Sequence, residues 1–207
     1  GLGYVMHNRL VITRQFPDAF RELRVQHIAS SYRRLIDALD QRAREVAGGH
    51  APRIVLLTPG PYSETYFEQA YLARYLGLPL VEGGDLTVRA DRLYLKTVEG
   101  LEPVHGVLRR VDDDWCDPLE LRADSALGVP GLLRAARAGR VVLANALGSA
   151  FLESPALQGF LPGISQALLD QDLLLPAVPT WWCGETAAWQ SVRTQMGDKV
   201  LRTTFPH

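Results

Sequence analysis

Apolar positions along this chain recur with two different periods. Over residues 17–49 the spacing is helical: Leu23, Ile28, Leu35, Leu39 and Val46, with Arg33, Arg34, Arg42 and Arg44 between them. That pattern predicts one long or two successive amphipathic helices with an arginine-bearing outer face. Pro17 suits a first turn, where its missing N–H has no intrahelical partner. Gly48 and Gly49 close the region, and a short apolar stretch, Leu10-Val11-Ile12, precedes it.

From residue 53 the pattern changes. Ile54, Val55, Leu56 and Leu57 form a continuous apolar run, as expected of a strand buried on both faces. Thr58-Pro59-Gly60-Pro61 reads as a loop, since two prolines and a glycine continue neither element. Residues 64–76 predict a helix with Phe67, Tyr71, Leu72, Tyr75 and Leu76 on its inner side. Ser63 stands at the N-cap and Gly77 at the left-handed C-terminal cap. A strand over 79–82 completes a βαβ unit. Residues 86–88 and 93–95, joined through Arg89, Ala90, Asp91 and Arg92, predict a hairpin. A strand over 106–111, a helix over 130–138 and a strand over 140–144 follow. Helices near 155–169 and 185–196 precede a last strand over 199–203. Such alternation means an α/β fold with a mostly parallel, Rossmann-like sheet flanked by helices, entered through an N-terminal helical segment. The expected division is 1–50 helical, 51–150 α/β core, and 151–207 a helical extension ending in a strand.

Composition changes this picture little. The 207 residues are 47% apolar and 22% charged with a formal net charge of −1. These values exclude disorder, collagen and coiled coil, and they argue against a general nucleic-acid binder, which needs a basic surplus. Twenty of the positive charges are arginine and only Lys96 and Lys199 are lysine. Either a GC-rich genome or bidentate gripping of anions accounts for that. Cys116 and Cys183 form neither a disulfide framework nor a metal-type spacing. No apolar run approaches the ~18 residues of a membrane span. A soluble, reducing, cytoplasmic setting is expected, with no membrane partner. The chain opens on Gly1, Leu2 and Gly3 without methionine and stops at Phe205, Pro206 and His207. We therefore expect the central portion of a longer protein.

In open α/β sheets, ligands bind beyond the carboxyl ends of the strands. The first strand is followed by Thr58, Gly60 and Ser63 at a helix N-terminus, where backbone N–H groups favour an anion, or by an ordinary tight turn and cap. It lacks the GxGxxG fingerprint and the Walker lysine. The second leads to Glu82-Gly83-Gly84-Asp85, a substrate contact or simply a turn. The third carries Arg109 and Arg110. Side chains alternate along a strand, so one of them meets a sheet face and needs an acid or an anionic ligand. Asp112, Asp113, Asp114 and Asp117 offer that acid, an Mg²⁺ site, or a capped acidic turn. The fourth strand leads to Asn145 and Leu147-Gly148-Ser149. Cys183 has no local histidine and is expected to be a buried thiol. His7, His27, His50, His105 and His207 make no metal-binding pattern, and no metal ligand is assigned.

These segments together carry a resemblance. Gly3-Tyr4 with Asn8-Arg9, Leu57-Thr58-Pro59-Gly60-Pro61-Tyr62, Val81-Glu82-Gly83-Gly84-Asp85-Leu86 and Arg109-Arg110-Val111-Asp112-Asp113-Asp114 through Asp117-Pro118 come first. Asp124-Ser125, Leu127-Gly128-Val129, Ala144-Asn145-Ala146 and Thr180-Trp181-Trp182-Cys183-Gly184 follow in order. The set resembles a circularly permuted ATP-grasp family of bacteria, similar to glutathionylspermidine synthase. The resemblance implies ATP-dependent joining of a carboxylate to an amine through an acyl-phosphate, with Mg²⁺ on the phosphates. It also implies that this chain is the pre-ATP-grasp portion, which helps form the cleft floor. The family's Mg²⁺ ligands precede Gly1, and its nucleotide-binding lysines lie near and beyond residue 202. The chain alone would then be inactive and bind neither ATP nor Mg²⁺ tightly. Its partners would be the rest of the ATP-grasp chain and a small anionic substrate or peptide.

By the same resemblance, Asn8 and Arg9 would lie near the nucleotide phosphates, and Arg109, Arg110, Asp113 and Asp114 would face the acyl substrate or phosphate. The strand-end reading adds Thr58, Gly60 and Ser63 as nucleotide candidates and Glu82 and Asp85 as substrate candidates, and Arg202 stands where the family's nucleotide lysine is expected. Two positions depart from the family: His7 stands where it usually has Glu, and Arg202 where it usually has Lys. The second departure motivates an alternative, a non-catalytic, degenerate ATP-grasp module acting in binding or assembly. An independent Rossmann-like nucleotide binder is disfavoured by the missing glycine fingerprint.

Overall fold

The computed structural model describes residues 2–204. The chain forms two compact units, the first ending at Leu147 and the second beginning at Gly148.

In the first unit, α1 (Leu2–Gln15), α2 (Pro17–Glu22) and α3 (Ala29–Val46) lead into β1 (Ile54–Leu57). Next come α4 (Tyr66–Leu76), β2 (Leu80–Val81), β3 (Leu86–Arg89), β4 (Arg92–Thr97), β5 (Gly100–Val104), β6 (Gly106–Arg109), α5 (Leu132–Arg137) and β7 (Val142–Ala144). Strands β2, β1, β6 and β7 lie side by side in that order, all parallel. A separate antiparallel sheet runs β3, β4, β5. Strand β5 has no counterpart in the sequence expectation.

Three layers result, and alternation along the central strands explains them. Val55, Leu57, Val81 and Val107 pack against Leu86, Leu93 and Val104 of the antiparallel sheet and Leu132 and Ala135 of α5. Ile54, Leu56 and Leu108 turn the other way, against Met6 of α1, Tyr32, Leu39 and Ala43 of α3, and Leu72 and Ala73 of α4. Every residue of β1 is buried, because both its faces are covered.

Several expectations need correction. Leu10, Val11 and Ile12 lie inside α1. Leu23 and Leu35 are exposed; the buried stripe of α3 is Tyr32, Leu39 and Ala43, at spacings of one and two turns. The face of α4 that meets the sheet is Glu68, Gln69, Leu72 and Ala73. Phe67, Tyr71 and Tyr75 instead stack one turn apart as a ladder on its flank, where Tyr4, His7 and Tyr32 meet them. The N-cap residue is Thr65 rather than Ser63, although the Ser63 hydroxyl accepts from the Thr65 N–H at 3.4 Å. Gly77 does close α4 in the left-handed region, at φ 71°. Ala90 and Asp91, both at positive φ, form the two-residue hairpin turn.

In the second unit, α6 (Leu161–Leu169) and α7 (Thr186–Val192) are joined by tight turns and extended chain. The helix expected near 185–196 breaks at Gln195, whose φ of −121° is non-helical. Residues 199–203 form no strand, since they have no ladder partner among the described residues. Among the described residues of this unit, only Ser165 and Val192 are buried. Leu174 is 95% exposed and Val200 85%, while Trp181, Trp182 and Trp189 are also exposed. Cys183 is exposed as well, which corrects the expected buried thiol. Among the described residues, no helix is long and apolar enough to cross a membrane.

Candidate functional site

All four parallel strands deliver their carboxyl ends to one edge of the sheet. From β1 the chain moves to β2 on one side, while β6 and β7 lie on the other. The crevice between the ends of β1 and β6 is therefore the topological switch point, where such sheets bind ligands.

Arg109 ends β6 at this point and Arg110 follows it, and alternation sends them to opposite faces. Arg109 turns toward the antiparallel layer. Its side chain is 9% exposed and pairs with Asp113 at 2.5 Å. The same guanidinium donates to the carbonyls of Asn145 (3.1 Å), Val111 (2.6 Å) and Ala146 (3.4 Å). Arg109 thus makes the pair with the acidic run that the sequence offered as one of its two readings. Arg110 turns toward α4. Its Nη2 meets Glu68 Oε2 at 2.7 Å, and a quarter of its side chain stays exposed. Glu68 is fully buried, and its other oxygen accepts from the Gly3 N–H at 2.7 Å. A Cβ on Gly3 would stand 2.3 Å from the Glu68 carbonyl oxygen, so only glycine lets α1 approach this closely.

The turn after β1 is knit by its own groups. The buried Thr58 hydroxyl donates to Gln69 Oε1 at 2.5 Å and accepts from the Gly60 N–H at 3.1 Å. The Ser63 N–H donates to the Gly60 carbonyl, and Gly60 itself sits at φ 97°. Two of the amides that an anion would use are thus engaged. The Glu82 carboxyl lies 3.2 Å from where a Gly60 Cβ would stand, so the ends of β1 and β2 touch here. Glu82 and Asp85 cap the turn between them: the Glu82 N–H donates to Asp85 Oδ2 at 2.9 Å, and the Glu82 side chain accepts from the Asp85 N–H.

The acidic run divides its labour. Asp112 and Asp114 are exposed, whereas Asp117 is fully buried. The Asp117 carboxylate accepts from the amides of Leu119, Gly131 and Leu133 at 2.9–3.1 Å. It thereby caps the start of α5, where free N–H groups and the helix dipole favour a negative charge. Ser125 donates to the Trp115 carbonyl, and a Cβ on Gly128 would stand 2.3 Å from that same oxygen. Much of the motif over residues 109–129 is therefore a structural knot. Burial pushes the Cys116 thiol up, and its S–H faces the Val111 and Asp112 carbonyls.

Among the described residues, no group of three or more His, Cys, Asp or Glu is placed to hold a metal ion. Asn8 is exposed on α1, and the Arg9 guanidinium lies over the Phe20 ring at 5.7 Å. His7 packs edge-on against Phe67 and Tyr71. Arg202 is exposed in the second unit. His207 lies outside the described residues. Sequence reasoning missed Glu68 and Gln69, and had Gly3 only as part of the family resemblance. The available signal was two polar residues in helical register with Leu72 and Ala73, which the neighbouring aromatic stripe outweighed.

The family model described as circularly permuted ATP-grasp type 2 matches residues 1–207. An uncharacterized protein of Mycobacterium tuberculosis is 43% identical over 204 residues, covering 99% of this chain and 23% of its own length. One from Synechocystis is 40% identical over 205 residues, covering 98% of this chain and 42% of its own. A second M. tuberculosis protein is 39% identical over 202 residues, at 98% and 36%. The chain thus spans less than half the length of these relatives, and it belongs to the circularly permuted ATP-grasp type 2 family.

Proposed function

We propose that this chain is the substrate-positioning floor of an ATP-dependent carboxylate–amine ligase whose other parts belong to a longer protein. Family membership supports the ATP-dependent ligase class. The choice of carboxylate and amine rests on the motif likeness to glutathionylspermidine synthase. The observation that carries the reading is Arg110. It stands at the switch point, retains exposure, and is held by a fully buried carboxylate. Arginine has five N–H donors, and the contact to Glu68 leaves others for an anionic substrate group. A guanidinium held in advance loses little entropy on binding and favours charge that develops there.

ATP-grasp proteins generally use ATP and Mg²⁺. The described residues of this chain do not by themselves fit that pair: no acidic cluster gathers among them, and the Gly60 and Ser63 amides are already bonded. No catalytic step is therefore assigned through nucleotide or metal here. In this reading, ligands for both come from the rest of the protein, which also covers the apolar surface of the second unit.

The test has two arms. Isothermal titration of ATP·Mg²⁺ against the 207-residue chain and the intact protein should show tight binding only by the latter. Tight binding by the chain alone overturns the division of labour. Substrate-dependent ADP release by the intact protein should be lost in Arg110→Ala. Absence of any such release, together with retained partner binding, favours the non-catalytic module that Arg202 motivates.

A further inference from the structure

The two edges of the antiparallel sheet are not alike. Pro103 of β5 lies opposite Tyr94 of β4. Proline has no N–H, so this pair is a non-bonded one, and proline tolerates an edge position for that reason. Leu93 and Leu95 of β4 must then bond to β5, while Tyr94 and Arg92 turn their amides to Thr87 and Arg89 of β3. The two-residue turn agrees, since it makes Arg89 and Arg92 a bonded closing pair. By this alternation Leu86 and Val88 face away from the sheet. The Leu86 N–H is taken by the Gly83 carbonyl. Val88 keeps both its N–H and its carbonyl without a partner among the described residues.

That free edge borders a cleft of about 540 Å³. Arg89, Lys96 and Arg134 line it, and no carboxylate does. Lys96 donates to the Gly84 carbonyl at 2.7 Å, and Arg134 meets Asp91 of the hairpin turn at 2.5 Å. Arg89 has no ion pair among the described residues, although the chain as a whole carries a net charge of −1. A bare anion would use the cations but not the Val88 carbonyl, which is an acceptor. An extended peptide uses all of them: its backbone bonds to Val88, and its acidic side chains meet the cations.

We propose that the β3 edge and its basic cleft form a docking site for an acidic peptide segment, which adds as a fourth strand. The assignment stands on the sheet edge and its charge, independently of the ligase reading, and its readout is binding rather than turnover. The test is fluorescence anisotropy of the intact protein with a labelled seven-residue peptide alternating Val and Glu. Saturable binding is expected. Arg89→Glu with Arg134→Glu should weaken it at least about tenfold, as should N-methylation of the peptide backbone at alternate residues, each removing charge-assisted or main-chain bonds. Val88→Pro should act like the methylation. The methylated peptide makes the same test on unaltered protein, should that variant not fold. Undiminished binding of the methylated peptide overturns strand addition. Equal binding of a Val–Thr peptide overturns the acidic assignment, and no saturation at millimolar peptide overturns both.

Discussion

The pair formed by Glu68 and Arg110 can be weighed by replacing its members singly and together. Glu68 is fully buried and Arg110 is 25% exposed, with 2.7 Å between their charged atoms. Arg110→Met leaves the Glu68 carboxylate buried with the Gly3 amide at 2.7 Å as a remaining donor. Removing one partner of a buried pair costs about 3–5 kcal/mol. The retained amide bond and the partial exposure of Arg110 place this case near the lower figure, about 3 kcal/mol. Glu68→Met alone should cost less, because the freed guanidinium can reach water. The double variant removes both charges and, like Glu68→Met alone, leaves the Gly3 N–H without its acceptor, so it should cost about 1–2 kcal/mol relative to the parent. The coupling energy is then on the order of 2 kcal/mol, well above the few tenths expected of independent sites. Urea unfolding followed by far-ultraviolet circular dichroism measures all four corners. A double variant as unstable as the sum of the singles would refute the pairing, and so would an Arg110→Met cost below about 0.5 kcal/mol.

Asp117→Ala orphans three amides, two of them at the start of α5; a loss of roughly 3 kcal/mol or more is expected in the same unfolding assay. Burial first, then Arg53 and Arg92, hold His105 below its ordinary 6.5, and its neutral Nδ1 accepts from the Arg53 N–H at 3.1 Å. Below pH 6.5 the unfolded chain binds the extra proton before the folded one does, so stability present above that value is lost as pH falls toward the folded pKa. The stability advantage of the parent over His105→Asn should accordingly shrink as pH falls below the ordinary value of 6.5. Cys183 is exposed and Cys116 buried with its thiol pushed up; a thiol reagent should label Cys183 at once and Cys116 only on unfolding, as read by peptide mass mapping.

Part of this molecule is written in local pattern. The apolar run of β1, the two-residue turn at Ala90 and Asp91, and the cap at Gly77 follow from period and backbone propensity within a few residues. So does the alternation that sends Arg109 and Arg110 to opposite faces. The polar strand ends that line one edge of the sheet were legible for the same reason. What each polar group bonds to was not. Glu68 meets Arg110 across 42 residues and Gly3 across 65, and Asp117 reaches Gly131 across 14. Such choices depend on strand order and helix packing, which no short window contains. Tertiary structure also decided which stripe of α4 faces the sheet: the close approach of α1 at Gly3 draws the aromatic ladder to the flank and leaves Glu68 and Gln69 inside. By itself, the sequence determined which polar residues follow each strand. Only the fold separated the arginine locked into a loop, Arg109, from the one held at the crevice, Arg110.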